Sequence, residues 1–208
     1  MADTARFWDR IADKYAKSPV KDEESYRHTL DRVKAHLDPA SRVREIGCGT
    51  GSTALTLSES VAGIVATDIS PRMIGIAEQK ARDGGIGNVS FAAEDTLAVG
   101  RADGPFDAVM AFNLFHLLHE PGKGIAAAMR LVRPGGLLIS KSPCLKGANP
   151  LYPIMIPIMR LFGKAPHVAF FTIEQLEAMV TDAGGEIVET GTFPKSPPAR
   201  FIVARKPG

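Results

Sequence analysis

The chain has 208 residues, 45% of them apolar and 23% charged, with a formal net charge of +2. That length suits one large domain, and that composition excludes a mainly disordered chain. A balance of 25 basic against 23 acidic residues argues against a dedicated nucleic-acid binder, which needs a basic surface. Only the end is biased. After Glu189 no acid follows, while Lys195, Arg200, Arg205 and Lys206 do, and we read this as a solvated edge. The two cysteines, Cys48 and Cys144, have no metal-ligand spacing. They point to a reducing cytoplasm rather than a disulfide framework. The opening residues MADTARFWDR are polar and mixed in charge, unlike a secretory signal. No apolar run reaches the roughly 18 residues of a spanning helix.

In chain order, residues 5–16 and 23–37 read as helices, the second ending before Asp38-Pro39. RVREI (42–46) is a short strand that ends at glycine. GSTALTLSES (51–60) reads as a helix and GIVATD (63–68) as a strand. SPRMIGIAEQKARDG (70–84) is a helix with Ser70 as N-cap and Pro71 in first position. Met73, Ile74 and Ala77 share one of its faces, and Gly84-Gly85 stops it. NVSFAAED (88–95) is a strand with an acidic end, and FDAVMAFNLFHLL (106–118) begins as a buried strand. GKGIAAAMRLVRPGG (122–136) reads as a helix closed by Pro134 and the glycines, with LLISKS (137–142) the next strand. FTIEQLEAMVTDAG (171–184) is a helix with Thr172 as its cap. EIVETGTF (186–193) and RFIVARK (200–206), joined by PKSPPA, form an antiparallel pair.

Strand and helix thus alternate five times, and runs such as VMAF and LLIS are apolar without a break. A strand covered on both faces needs such runs. The pattern predicts an open, mostly parallel α/β sheet with helices on both faces. Ligands of such sheets bind beyond the carboxyl ends of the strands, where strand order reverses.

The stretch Gly47-Cys48-Gly49-Thr50-Gly51 is the centre of the functional reading. Its spacing is G-x-G-x-G, and Ser52 stands where a dinucleotide fingerprint has its third glycine. No Walker lysine follows, which excludes a P-loop. The glycines let a ligand approach the backbone, and the following helix start offers amides to a carboxylate. Glu45, two residues ahead, offers an acceptor to a cation. Together they suit a zwitterion better than a pyrophosphate. Asp68 ends the second strand, where a carboxylate accepts ribose hydroxyls. Ile69 and Met73 are placed to pack on an adenine face, and Asp95 to meet an exocyclic amine. Adenine, ribose and an amino-acid tail are the parts of S-adenosylmethionine. Each residue alone has an equally good structural role as a turn or cap; their order in one sheet is what points to a ligand.

These stretches resemble the class I S-adenosylmethionine-dependent methyltransferases, in the small-molecule branch that includes the ubiquinone and menaquinone biosynthesis enzymes. VREIGCGTG is similar to that family's first motif, with Glu45 where aspartate is commoner. VATDISPRMI, AAED, FDAVMAFNLFHLL and LVRPGGLLI are similar to the four that follow. FWDRIADKY resembles the N-terminal segment whose tyrosine, here Tyr15, reaches the cofactor. The resemblance implies a Rossmann-like sheet of seven strands with the last antiparallel. It implies S-adenosylmethionine as cofactor and S-adenosylhomocysteine as product. The implied contacts are Tyr15, Glu45, Gly47, Cys48, Gly49, Gly51, Asp68, Ile69, Met73, Glu94, Asp95, Thr96, Asn113 and Leu114. We expect one domain (1–208) made of a helical cap (1–40), a cofactor-binding core (41–142), an apolar lid-like insert (143–171) and a C-terminal helix with a strand pair (172–208).

The cofactor's sulfonium already activates the methyl group, so the protein must align a nucleophile and exclude water. No Asn/Asp-Pro-Pro-Tyr signature of nucleic-acid amine methylation is present. His116 is the candidate base or hydrogen-bond donor, against a bland role in packing the turn. His119 lacks a third ligand for a metal site, and no metal is expected. In NPLYPIMIPIMRLFGKAPHVAFF (149–171) apolar residues surround the helix, which implies covering on both faces. It reads as a helix packed on the sheet or in a dimer interface, as a lid, or as a patch on a membrane surface. Phe115, Tyr152, Met155 and Met159 are the candidate substrate-pocket residues. The expected activity is methyl transfer to a small apolar or aromatic molecule by a cytoplasmic monomer or homodimer. A lipid methyltransferase at the membrane surface and a non-catalytic cofactor binder are the alternatives.

Overall fold

Seven strands form one sheet in the order β3-β2-β1-β4-β5-β7-β6. The computed structural model describes residues 2–96 and 104–208. The strands are β1 (Arg42–Ile46), β2 (Gly63–Asp68), β3 (Val89–Ala93), β4 (Phe106–Phe112), β5 (Val132–Pro143), β6 (Glu186–Lys195) and β7 (Pro198–Arg205). The helices are α1 (Ala2–Lys17), α2 (Glu23–Lys34), α3 (Ser52–Leu57), α4 (Pro71–Asp83), α5 (Pro121–Leu131), α6 (Tyr152–Leu161) and α7 (Ile173–Asp182). Pairing is parallel from β3 through β5, whereas β7 runs antiparallel to both β5 and β6. The expected seven-stranded sheet with its last strand reversed is therefore present.

The apolar runs explain the layering. Side chains alternate along a strand, so each central strand feeds two cores. Val109 and Ala111 of β4 enter the core beneath α5 and α7, with Leu138 of β5 and Ile202 of β7. Ala108 and Met110 enter the opposite core with Val43, Ile139 and Val203. Leu30 and Val33 of α2 close that second core, together with Ala54 and Leu57 of α3.

Local chemistry fixes most boundaries. The Ser70 hydroxyl accepts from the Met73 amide at 3.1 Å, an N-cap that contributes about 1 kcal/mol. Thr172 and Gln175 form a reciprocal capping box at the start of α7. Several ends shift by two or three residues, and the largest departure is in α5. Helix α5 ends at Leu131, not 136, and Val132 is already extended with ψ 134°. The proline at 134 removes a backbone donor and disfavours helical geometry just before it. Residues 132–136 therefore continue into β5, and the β4–β5 register shifts between Phe106 and Ala108.

Helix α6 also departs from expectation. It buries no residue. Leu151, Ile154, Met155, Ile158, Leu161 and Phe162 are all exposed, so the reading of a helix packed on the sheet is corrected. No helix among the described residues is long and apolar enough to cross a membrane.

Candidate functional site

Strand order reverses between β1 and β4. At their carboxyl ends a cavity of about 740 Å³ opens between the glycine turn, α1 and the segment after β4. Tyr15, Glu45, Gly47, Cys48, Gly49, Asp68, Ile69, Met73, Asp95, Thr96, Asn113 and Leu114 all stand in its wall.

The turn is built for close approach. Gly47 (φ +68°), Gly49 (φ +54°) and Gly51 (φ +74°) occupy the left-handed region that side chains resist. At Gly47 a Cβ would strike Leu114 Cδ1 at 2.7 Å. At Gly49 the nearest atom is Tyr15 Cε1 at 3.8 Å, so space there is open toward the cavity. Gly51 differs from both, because its Cβ would lie 2.8 Å from both Ala77 Cβ and Phe91 Cε1. Gly51 packs α3 against α4 and β3, and it does not line the cavity.

Glu45 is 2% exposed on β1. It accepts the Ala54 backbone amide, and its Oε2 has no hydrogen-bond partner among the described residues. Burial lifts its carboxyl to a pKa of about 8, with the Asp68 charge adding to the shift. Asp68 Oδ2 accepts the Gly49 amide and Oδ1 the Ser70 amide, each at 2.9 Å. These bonds tie the glycine turn to the end of β2. Burial raises the Asp68 pKa too, against the lowering effect of those amides. Buried Glu45, half-buried Asp68 and Asp95 make this end of the cavity a seat for a cation. Asn113, directly after β4, holds φ +55° and donates its amide to the Lys141 carbonyl at 2.8 Å. A non-glycine residue in that conformation commonly marks a functional turn.

Glu94 is turned away. It pairs with Arg44, whose side chain is fully buried, and it is not part of the wall. The sequence placed Glu94 and Asp95 side by side, but neighbouring strand-end residues face opposite ways. Phe115 is likewise corrected: it is fully buried in the core beneath α5. Tyr152, Met155 and Met159 lie on α6, outside the wall. His116 also stands outside it. Its carbonyl accepts the Ala169 amide at 2.7 Å. Its Nδ1 is buried without a partner among the described residues, and burial lowers its pKa to about 4. The imidazole is neutral at pH 7, and the turn that carries it offers Leu117 and Leu118 to the cavity instead.

Residues 43–136 match the family model described as a methyltransferase domain. The chain is 30% identical over 139 residues to a ubiquinone biosynthesis O-methyltransferase of Xanthomonas axonopodis pv. citri. That match covers 64% of this chain and 54% of that protein. It is 36% identical over 100 residues to a demethylmenaquinone methyltransferase of Thermus thermophilus, covering 47% and 45%. The chain thus spans about half the length of these curated relatives. The N-methyltransferase NodS of Bradyrhizobium japonicum, solved in complex with S-adenosyl-L-homocysteine, has the same fold. It superposes with a TM-score of 0.73 at 21% identity, over 99% of both chains.

The cavity is completed by residues that sequence reasoning missed. Thr4 and Trp8 of α1, then Ser18, Pro19, Val20 and Lys21, wall the cavity from the N-terminal side. Tyr26 of α2 joins them, its hydroxyl 3.4 Å from Thr53 Oγ1. Helix α1 is fastened over the site by Asp9, which accepts from Ser70 Oγ at 2.5 Å and the Arg72 amide at 3.0 Å. Asp13 pairs with Arg72 at 2.7 Å. The signal for this lay in the spacing of Asp9 and Asp13, one helical turn apart on α1.

Proposed function

We propose that the chain is an S-adenosylmethionine-dependent methyltransferase acting on a small apolar or aromatic molecule of the quinone-precursor kind. The observation that carries the reading is the Glu45–Asp68 pair beside an open glycine turn. One buried carboxyl oxygen lacks a partner among the described residues, and the backbone there leaves room for a ligand to touch it. A cationic amino-acid tail meets both needs. Bound there, the cofactor would supply an activated methyl group.

The chain's own residues then hold and orient. Glu45 accepts the ammonium, and the amides of the turn receive the carboxylate. Asp68 is fixed by two amides at the position where ribose hydroxyls are accepted. Ile69 and Met73 offer an apolar face to the adenine, and Asp95 with Thr96 borders its edge. Val20, Phe112, Leu117 and Leu118 furnish the same cavity with an apolar wall, which suits an apolar acceptor and excludes water. Tyr15, whose hydroxyl pKa is raised by desolvation against the cavity wall and by the nearby Asp68 charge, stays protonated and is a donor. With His116 outside the wall, the reading needs no base from that residue. A phenol or enol acceptor ionises easily enough to be oriented rather than deprotonated by a strong base. Two buried, unpaired thiols suit a reducing compartment, and we place the enzyme in the cytoplasm.

The test is calorimetric titration with S-adenosylhomocysteine of wild type, Glu45→Gln and Asp68→Asn. We expect one site per chain, weakened about tenfold or more in each variant. Unchanged affinity in both variants would refute the assignment. Turnover is then screened with catechol-type and hydroquinone-type acceptors by following S-adenosylhomocysteine release.

A further inference from the structure

Among the described residues, ten large apolar side chains are exposed, and seven of these lie between Leu151 and Phe162. The other three are separate: Tyr15 and Val20 in the cavity wall, and Val188 on β6. Leu161 is 82% exposed, Phe162 71% and Ile154 63%. A helix of ten residues is about 15 Å long, half of what a bilayer core requires. It is apolar on nearly every side and buries no side chain. Soluble surfaces rarely keep so contiguous a patch without a partner.

The charges carried by the segment around the patch are of one sign. From Pro121 to Ile173 the chain contains no aspartate or glutamate. Arg160 of α6 and Lys164 just after it are exposed, as is Lys146 in the loop that precedes the helix. Arg10 of α1 reaches the same corner, donating to the Gly163 carbonyl at 2.6 Å. Apolar side chains flanked along the chain by cations match a surface that is apolar inside and anionic outside. A second copy of this chain would bring the same cations face to face.

We infer that α6 and its flanks form a docking surface for an anionic lipid bilayer, with the helix lying in the interfacial plane. Ile154, Ile158, Leu161 and Phe162 enter the acyl boundary, and Lys146, Arg160 and Lys164 stay among the headgroups. The corner at Gly163 is tied to α1, the helix that walls the cavity. Docking therefore sets the cavity beside the lipid. This bears on the methyltransferase reading by giving an apolar acceptor a short route, but it stands on the patch alone.

The full chain is sedimented with vesicles of phosphatidylcholine alone, and of phosphatidylcholine and phosphatidylglycerol in equal parts. Wild type should partition onto the mixed vesicles and release as salt rises. The double variant Ile154→Asp/Leu161→Asp should bind at least about tenfold more weakly. Arg160→Glu/Lys164→Glu should lose the preference for anionic vesicles. All four side chains are exposed, so each variant should keep the wild-type melting temperature and S-adenosylhomocysteine affinity. Wild type that stays in solution with both vesicles overturns the inference while leaving the cofactor site intact. So does an aspartate variant that binds as wild type does. A wild-type dimer that becomes monomeric in the aspartate variant, with no vesicle binding, assigns the patch to a second copy instead.

Discussion

Glu45→Gln should abolish a pH dependence of cofactor binding that the wild-type site is built to have. Burial holds the Glu45 carboxyl at a pKa of about 8 in the free protein. An ammonium beside it favours the ionised form, so binding draws on the small ionised fraction. That fraction is about 1% at pH 6 and about 9% at pH 7, which follows from a pKa of about 8. Affinity should therefore tighten about tenfold between these values, or about 1.4 kcal/mol. The ligand's own α-amino group stays charged over that interval, so the slope belongs to the protein. Each binding event should also release a proton, read by titrating in buffers of different ionisation enthalpy. Glu45→Gln keeps the shape, lacks the titrating group and should bind weakly with a flat profile. A wild-type dissociation constant that is flat from pH 6 to 7 would refute the reasoning. So would a slope that survives in the variant. The same shift has a stability consequence of known sign. Between the ordinary glutamate value and pH 8 the folded protein holds a proton that the unfolded chain has lost. The free protein must lose stability as pH rises through that window, and Glu45→Gln should remove the loss.

Further outcomes follow from the geometry. Gly51→Ala should cost about 2–4 kcal/mol of stability, since it combines a left-handed backbone with two contacts at 2.8 Å. Gly49→Ala, with open space around it, should lose about 1 kcal/mol in thermal melts and far more in cofactor affinity. Glu94→Gln removes the carboxylate charge paired with the buried Arg44 side chain and should destabilise by about 1–3 kcal/mol in urea unfolding, with cofactor affinity nearly kept. Asp9→Asn weakens the bonds to Ser70 and Arg72, so α1 should become protease-sensitive and the cofactor should dissociate faster.

Much of the fold was legible because it rests on local rules. The boundaries of β1 and β2 coincide with their apolar runs, and α4 with its serine cap and glycine stop. The α5–β5 boundary was not legible, because Leu131-Val132 continues the helical apolar face until the proline acts from ahead. The site was legible as a set of strand ends, since topology alone brings β1, β2 and β4 together. Which glycine meets a ligand and which meets a neighbouring helix depends on packing, so Gly51 was grouped with Gly47 and Gly49. Glu94 was misplaced for the same reason: its partner Arg44 is 50 residues away. That α1 folds back over the cavity was legible only through the resemblance of FWDRIADKY and the one-turn spacing of Asp9 and Asp13, because its bonds to α4 span about sixty residues. The apolar excess of 149–171 was visible, but sequence could not say that the chain itself leaves it uncovered.

The central claim is that the cavity between the glycine turn and α1 is the seat of S-adenosylmethionine. A single calorimetric titration with S-adenosylhomocysteine tests it most directly. Saturable binding of one molecule per chain, lost in Asp68→Asn, is the predicted result. No binding, or binding of NAD in preference to S-adenosylhomocysteine, would contradict it.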